Sequence, residues 1–599
     1  MNRKNIPLIF SACFLVVSTA VILVSFGNYF DISDEGLAAY LSLFGEQAVW
    51  SQQFQYITHA WGDFFGHSLS VYRLLYLVFV YLECFVFACA IFVYYKVPLA
   101  RYKYTFFLTL FFCVTGAQSV FTLLTTPSYD SYAALAGFLW ASMFLLVLSD
   151  SDSKVNNAGV LVLSSFSILI ALMAKSTTGV VLLLGLIVLL PCFYYILNKK
   201  FINAAILWAY LGGMLGVVFW ILVLGDNLDT VIATYSAYGS SEAYYLPKLL
   251  VKHVRDILAF AVYLGAYLIV WFIVFRSLKK SAADKLSATS LCFSFVPLIL
   301  LLWFSSVNIR PFPDDFYQLK LFGFSVLKLF PSTIDNPKAK MITFLVSLSL
   351  AVLFWGNSFA KELCWSKRRD VVFFLVVIFT ALGVFAGTTA FLSWHMRSVA
   401  GLVAAVPVVF YLSRFDSREL GTKMLGWALL SFAVLGVHHL YDNVLSHYYR
   451  CPPLELQVAT SEFSPILKGV KIDSERAEMI DKIGAVLDQL EFNRSQDRMY
   501  VFPAAPGFLA ALNVRAYGAL WSTGALNDLD CYSFAAEKEY QDSKVYVLRG
   551  GDVPVEIKSC FLEKLHPGGD FKSTYLGDYL NYRQGIELHY YIDGPYVPY

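Results

Sequence analysis

The chain has 599 residues, 58% of them hydrophobic and 15% charged, with a mean hydropathy of +0.61. Those totals exclude an ordinary soluble globular protein and belong to a polytopic membrane protein. A formal net charge of +2 offers no basic field for nucleic acid.

Apolar runs of about 17–25 residues suit a bilayer core. In chain order the sequence predicts spans at roughly 7–28, 72–95, 104–123, 131–149, 157–173, 177–197, 203–225, 256–275, 289–307, 341–360, 371–391, 398–413 and 424–442, about thirteen in all. One pair is broken only by Ala174-Lys175-Ser176. Arg3 and Lys4 precede the first run, which lacks a small-residue cleavage site and reads as an uncleaved span. Lys and Arg concentrate in alternate loops: Lys96 to Lys103, Lys199-Lys200, Arg276 to Lys285, Lys361 to Arg369 and Arg414 to Lys423. Positive charge stays inside, so the N-terminus is expected in the cytosol. Residues 31–70 and everything after about 443 then face outward, the periplasm of a bacterium.

The expected architecture is mainly α: a transmembrane domain over 1–445 and a C-terminal periplasmic α/β domain over 446–599. Interfacial helices are expected in the long outer loops at 36–48, 226–255 and 308–340. In the C-terminal segment, Asp473-Ser474-Glu475 starts a helix that carries Ala477, Ile480, Ile483 and Leu487 at helical spacing. Met499 to Phe502 and Val545 to Leu548 read as strands, with a helix over Gly507 to Leu512 between them. Cys531 and Cys560 could bridge in an oxidising compartment.

The candidate chemistry gathers at the outward loops. The turn Asp31-Ile32-Ser33-Asp34-Glu35-Gly36 puts three carboxylates beside hydrocarbon, where an acid is costly and so is a functional-site candidate. Asp130 stands at the head of the fourth span, Lys175 between two spans, and Arg397 before the twelfth. A carboxylate can take a proton from an attacking hydroxyl, and fixed cations can stabilise charge on a departing phosphate. Each residue also has a structural reading. Asp34 and Glu35 suit the start of a helix, Asp31 a solvated neighbour, and Asp130 an N-cap. Lys175, Arg397 and Arg310 suit interface anchors, and His253 a surface histidine in a basic amphipathic stretch. Asp34, Glu35 and Asp130 leave room for a divalent metal, but nothing in the sequence requires a cofactor.

The Asp34-Glu35 pair after one span, Tyr40 on the following helix and Gly66…Tyr72-Arg73-Leu74 opening the second span resemble the GT-C glycosyltransferases. The resemblance is to the protein mannosyltransferase and lipid A aminoarabinose transferase branch. It continues through Asp130, Lys175-x-x-x-Gly179, Arg397 ahead of Pro407, Leu467-Lys-Gly469-Val, and Tyr500-Val-Phe502-Pro503…Pro506-Gly507. It implies sugar transfer at the outer face from a polyprenyl-phosphate donor to a glycan, lipid or protein acceptor. Asp34 would serve as the base with Glu35 adjoining, and Lys175 and Arg397, joined by Arg310, would hold the donor phosphate. Asp130 and His253 are additional candidates. The Pro-rich pattern of the aminoarabinose branch is replaced here by Ser51-Gln-Gln-Phe-Gln55, which leaves the acceptor open. Two alternatives remain: an O-antigen ligase or polymerase type of transferase, and a transporter of lipid-linked sugars.

Overall fold

A computed structural model describes residues 6–45, 53–96, 106–107, 109–111, 113–114, 126–150, 153–225, 246–283, 320–321, 324–325, 337–354, 367–384, 386, 399–406, 451–503, 505–518, 520, 531, 533–534, 543–581 and 586–598. The membrane-region helices are α1 Ile6–Val24, α2 Asp34–Phe44, α3 Gln55–Phe65, α4 Leu69–Tyr94, α5 Tyr129–Leu148, α6 Lys154–Ala174, α7 Ser176–Asn198, α8 Ala204–Leu224, α9 Leu246–Ala283, α10 Pro337–Phe354 and α11 Lys367–Gly383. Among the described residues, α4 to α8 are long and apolar enough to cross a membrane. The spans expected at 289–307 and 424–442 lie outside the described residues.

Polar residues set where these helices begin. Ser68, Ser153 and Asn203 accept the backbone N–H of Val71, Asn156 and Ile206, satisfying donors that have no partner in the first turn. At Lys175 the chain leaves helical geometry for one extended residue, so α6 and α7 are separate helices. Helix α5 is central and almost wholly buried, whereas α8 is peripheral and mostly uncovered. Outward apolar residues of α7 and α8, such as Leu184 and Leu222, are left for lipid. Close packing of α6 on α8 depends on small residues. A Cβ at Gly212 would lie 2.5 Å from the Leu161 carbonyl oxygen, and Ser164 Oγ donates to the Ala209 carbonyl at 2.7 Å.

Two expectations for the long loops change. The amphipathic stretch Leu249 to Arg255 is no separate helix; it is the first part of a continuous helix, α9. Within 308–340, Lys320–Leu321 (β1) pairs antiparallel with Phe324–Ser325 (β2) where a helix was expected.

The C-terminal segment contains β3 Gln457–Ala459, β4 Ile472–Asp473, α12 Ser474–Gln489, β5 Arg498–Phe502, α13 Pro506–Leu512, β6 Val545–Arg549, α14 Val555–Leu562, β7 Leu565–Asn581 and β8 Ile586–Pro598. Its four-stranded sheet has the order β5-β6-β8-β7, with β5 and β6 parallel and the other pairs antiparallel. Parallel neighbours need a crossover, and α13 lies in the connection between these two. The long β7–β8 hairpin was not foreseen from sequence. Cys531 and Cys560 are joined in a disulfide with a Cα–Cα distance of 5.3 Å.

The first loop and the C-terminal segment are hydrogen-bonded to each other. Tyr29 N–H donates to the Lys471 carbonyl at 2.7 Å, and Lys471 N–H to the Gly27 carbonyl at 2.8 Å. Gly507 N–H donates to the Ile32 carbonyl at 2.8 Å, and the Ala516 N–H to Tyr40 Oη at 2.8 Å. Gly36 and Gly507 meet backbone to backbone: a Cβ on Gly36 would lie 2.4 Å from Gly507 Cα.

Candidate active site at the acidic turn

The three carboxylates of the turn occupy different environments. Asp31, expected in solvent, is buried and organises the start of α2. Its carboxylate accepts Ser33 Oγ at 2.8 Å and the Glu35 N–H at 3.2 Å, and its carbonyl accepts the Gly36 N–H at 2.8 Å. The capping role expected of Asp34 and Glu35 therefore falls to Asp31. Asp34 is the first residue of α2 and is only half-buried.

Glu35 is fully buried and ion-paired with an equally buried Arg73. Its Oε1 accepts Arg73 Nε at 3.0 Å, Arg73 Nη2 at 2.8 Å and Thr126 Oγ1 at 2.7 Å, while Oε2 accepts the Asp31 N–H at 3.1 Å. The rest of the guanidinium donates to the carbonyls of Ser25, Asn28 (2.8 Å) and Tyr29 (3.0 Å). All five N–H groups of Arg73 are thus used. Breaking such a pair by removing one partner typically costs about 3–5 kcal/mol, because it leaves a lone charge buried. Glu35 is accordingly a strut that holds the turn, with its acceptor oxygens committed to protein.

Lys175 is ion-paired within the protein. Its Nζ donates to Asp130 Oδ1 at 2.6 Å and lies 4.7 Å from the centre of the Tyr129 ring. The pair is mostly but not fully buried, with side chains 10% and 18% exposed. Asp130 is not the N-cap of α5; Ser128 is, in a reciprocal box with Ser131. The segment 126–130 therefore touches both centres, Glu35 through Thr126 and Lys175 through Asp130. Gln53, in the segment that departs from the Pro-rich pattern, ties that segment to α6 and α8. Its N–H donates to the Met173 carbonyl at 2.8 Å, and its Oε1 accepts Trp220 Nε1 at 3.1 Å.

Arg476 was missed from sequence. It is buried, donates to the Phe30 carbonyl, to Tyr579 Oη at 2.9 Å and to Cys451 Sγ at 3.1 Å, and lies 3.3 Å from Asp473 Oδ2. Burial works against its charge, but Tyr579, Cys451, Asp473 and Asp31 outweigh that and hold its pKa well above the usual value. Burial pushes the Cys451 thiol up to about 12, although Arg476 pulls it down. A signal was available: Arg476 occupies the apolar stripe of α12, in step with Ile480, Ile483 and Leu487.

Arg397 and Arg310 lie outside the described residues. His253 is half-buried on α9 and joins no group of metal-ligating side chains among the described residues.

No protein-family model matches the chain, and no curated protein sequence does. Among solved structures it is similar to ArnT from Cupriavidus metallidurans bound to undecaprenyl phosphate, with 10% identity, a TM-score of 0.39, and coverage of 97% of this chain and 98% of that one. It is also similar to the archaeal oligosaccharyltransferase AglB from Archaeoglobus fulgidus in complex with an inhibitory peptide and a dolichol-phosphate. There the identity is 11% and the TM-score 0.44, over 90% of this chain and 69% of that one. These are loose likenesses of chain path alone.

Proposed function

We propose that the chain is a GT-C-type glycosyltransferase of a bacterial inner membrane, moving a sugar from a polyprenyl-phosphate donor to an acceptor hydroxyl at the periplasmic face. Asp34 acts as the general base. As the acceptor oxygen bonds to the sugar's anomeric carbon, its proton passes to the Asp34 carboxylate. The bond from that carbon to the phosphate oxygen breaks, and polyprenyl phosphate departs with the electron pair. Lys175 stabilises the phosphate charge, with Arg397 and Arg310 assigned beside it from the sequence alone. Glu35 is a positioning residue in this reading, which revises the paired-acid expectation.

The observation that carries the proposal is the double role of segment 126–130. One short piece of chain grips the strut beneath Asp34 and orients the ammonium of Lys175. A half-buried acid and an oriented cation around one membrane face are what displacement from a lipid phosphate needs. The Cys531–Cys560 disulfide supports a periplasmic C-terminal domain over 446–599 on a transmembrane domain over 1–445, because disulfides persist in oxidising compartments. The acceptor is a glycan, lipid or protein hydroxyl. No metal is required by these residues.

The test is transfer by the purified full-length protein, given polyprenyl-phosphate sugars and envelope acceptors. Acceptor-dependent release of polyprenyl monophosphate is expected. Release of polyprenyl pyrophosphate would move the assignment to a ligase-type transferase. Movement of the intact donor across vesicles without transfer would make the protein a transporter.

A further inference from the structure

A second cluster lies on α3 and the turn that follows it, outside the proposed reaction site. His59, Asp63 and His67 are spaced by four residues, and their ligand atoms all lie within 4.8 Å of one another. His67 Nε2 is 3.1 Å from Asp63 Oδ1, and His59 Nε2 is 3.9 Å from the same oxygen. For metal bonds of about 2.0–2.2 Å, the edge of a ligand tetrahedron is about 3.3–3.6 Å, which these two distances bracket.

Both imidazoles are already oriented. His59 Nδ1 is 2.8 Å from the Ser42 carbonyl oxygen. A carbonyl only accepts, so Nδ1 donates to it and Nε2 is the nitrogen on the Asp63 side. His67 Nδ1 is 2.8 Å from Tyr72 Oη, which leaves Nε2 as its inner nitrogen as well. Hydrogen bonds of this kind to the outer nitrogen fix ring orientation at metal sites. Each ring is also seated where a glycine makes room. A Cβ on Gly45 would lie 2.8 Å from His59 Cδ2, and one on Gly62 would lie 2.4 Å from His67 Nδ1. Asp63 is 58% exposed, so the open side of the cluster faces solvent.

We infer that His59, Asp63 and His67 form a binding site for a divalent transition metal of the zinc class, with water completing its coordination. Two imidazoles and one carboxylate suit borderline metals of this kind and are a poor match to magnesium or calcium, which favour oxygen ligands. A bound ion would tie α3 to the first turn of α4 and, through the His59 bond to Ser42, to the far end of the helix that begins at Asp34. The site does not depend on the transfer reaction.

The experiment uses full-length protein in detergent, stripped with chelator, desalted and titrated with zinc chloride. About one zinc per chain, retained after gel filtration, is expected, with a rise in melting temperature. Asp63→Asn changes only an exposed side chain and should weaken zinc affinity at least tenfold. His67→Gln should do the same, with the zinc-dependent rise in melting temperature lost in both. Wild type that takes up no zinc overturns the inference. So does Asp63→Asn binding as tightly as wild type, which would leave the cluster an ordinary histidine–aspartate contact.

Discussion

Two carboxylate–cation pairs border the same region and differ in how they are enclosed. Glu35 and Arg73 are fully buried with every polar atom engaged, whereas Asp130 and Lys175 meet through a short bond and retain 18% and 10% exposure. The same chemistry therefore does two jobs. A sealed and saturated pair fixes geometry, and in the proposed reaction a partly open pair supplies the charge for the donor phosphate. The first loop is sealed further by the C-terminal segment, through Arg476 on the Phe30 carbonyl and the Gly36–Gly507 contact. Asp34, beside the sealed acid, is the one held at the edge.

Breaking the sealed pair should have the largest effect. Arg73→Met leaves Glu35 charged and unpaired, and is expected to cost about 3–5 kcal/mol, read as poor membrane yield and a large fall in melting temperature. Replacing both partners with apolar residues should recover much of that loss. Stability equal to wild type in the single variant would remove the strut from the account.

Next comes the clamp. In Gly507→Ala the new Cβ would lie 2.5 Å from Ile32 Cα, an overlap that backbone movement alone can relieve. Overpacking of this kind costs about 1–3 kcal/mol. The variant should speed proteolysis and amide exchange in the C-terminal segment and in residues 27–36 together. Loosening confined to the C-terminal segment would contradict the mutual docking.

The open pair should yield the smallest stability change. Lys175→Met is expected to move stability by less than about 1 kcal/mol, since solvent screens what remains of Asp130. Transfer, however, should fall by about 10²-fold, the scale of losing one group that stabilises a leaving charge. A large melting shift with unchanged transfer would reverse the two jobs.

Much of this was legible in the residues. Apolar runs marked α4 to α8, because lipid demands length and composition that few other environments do. Capped starts and a short apolar run gave α12, β5 and β6. The acidic turn, Asp130 and Lys175 stood out because ionisable groups beside hydrocarbon are expensive. What stayed hidden was pairing. Nothing local distinguishes Glu35 from Asp34; only Arg73, far along the chain, and Thr126 decide which acid is consumed. Asp31 looked solvated because the segment docked on its turn, through Arg476 on the Phe30 carbonyl and Gly507 on the Ile32 carbonyl, comes more than four hundred residues later. The β7–β8 hairpin escaped because its alternation is weak and its sequence is rich in glycine, tyrosine and charge. The amphipathic start of α9 reads the same whether it lies flat or continues a span.

The most direct test separates the two adjacent acids. Asp34→Asn and Glu35→Gln should be compared as purified proteins, with melting temperature and sugar transfer measured on the same samples. The account predicts that Asp34→Asn melts like wild type and loses at least about 10²-fold in transfer. Glu35→Gln should lower the melting temperature and slow transfer only as far as the turn is disturbed. Wild-type transfer by a normally folded Asp34→Asn would contradict the assignment of Asp34 as the reacting base.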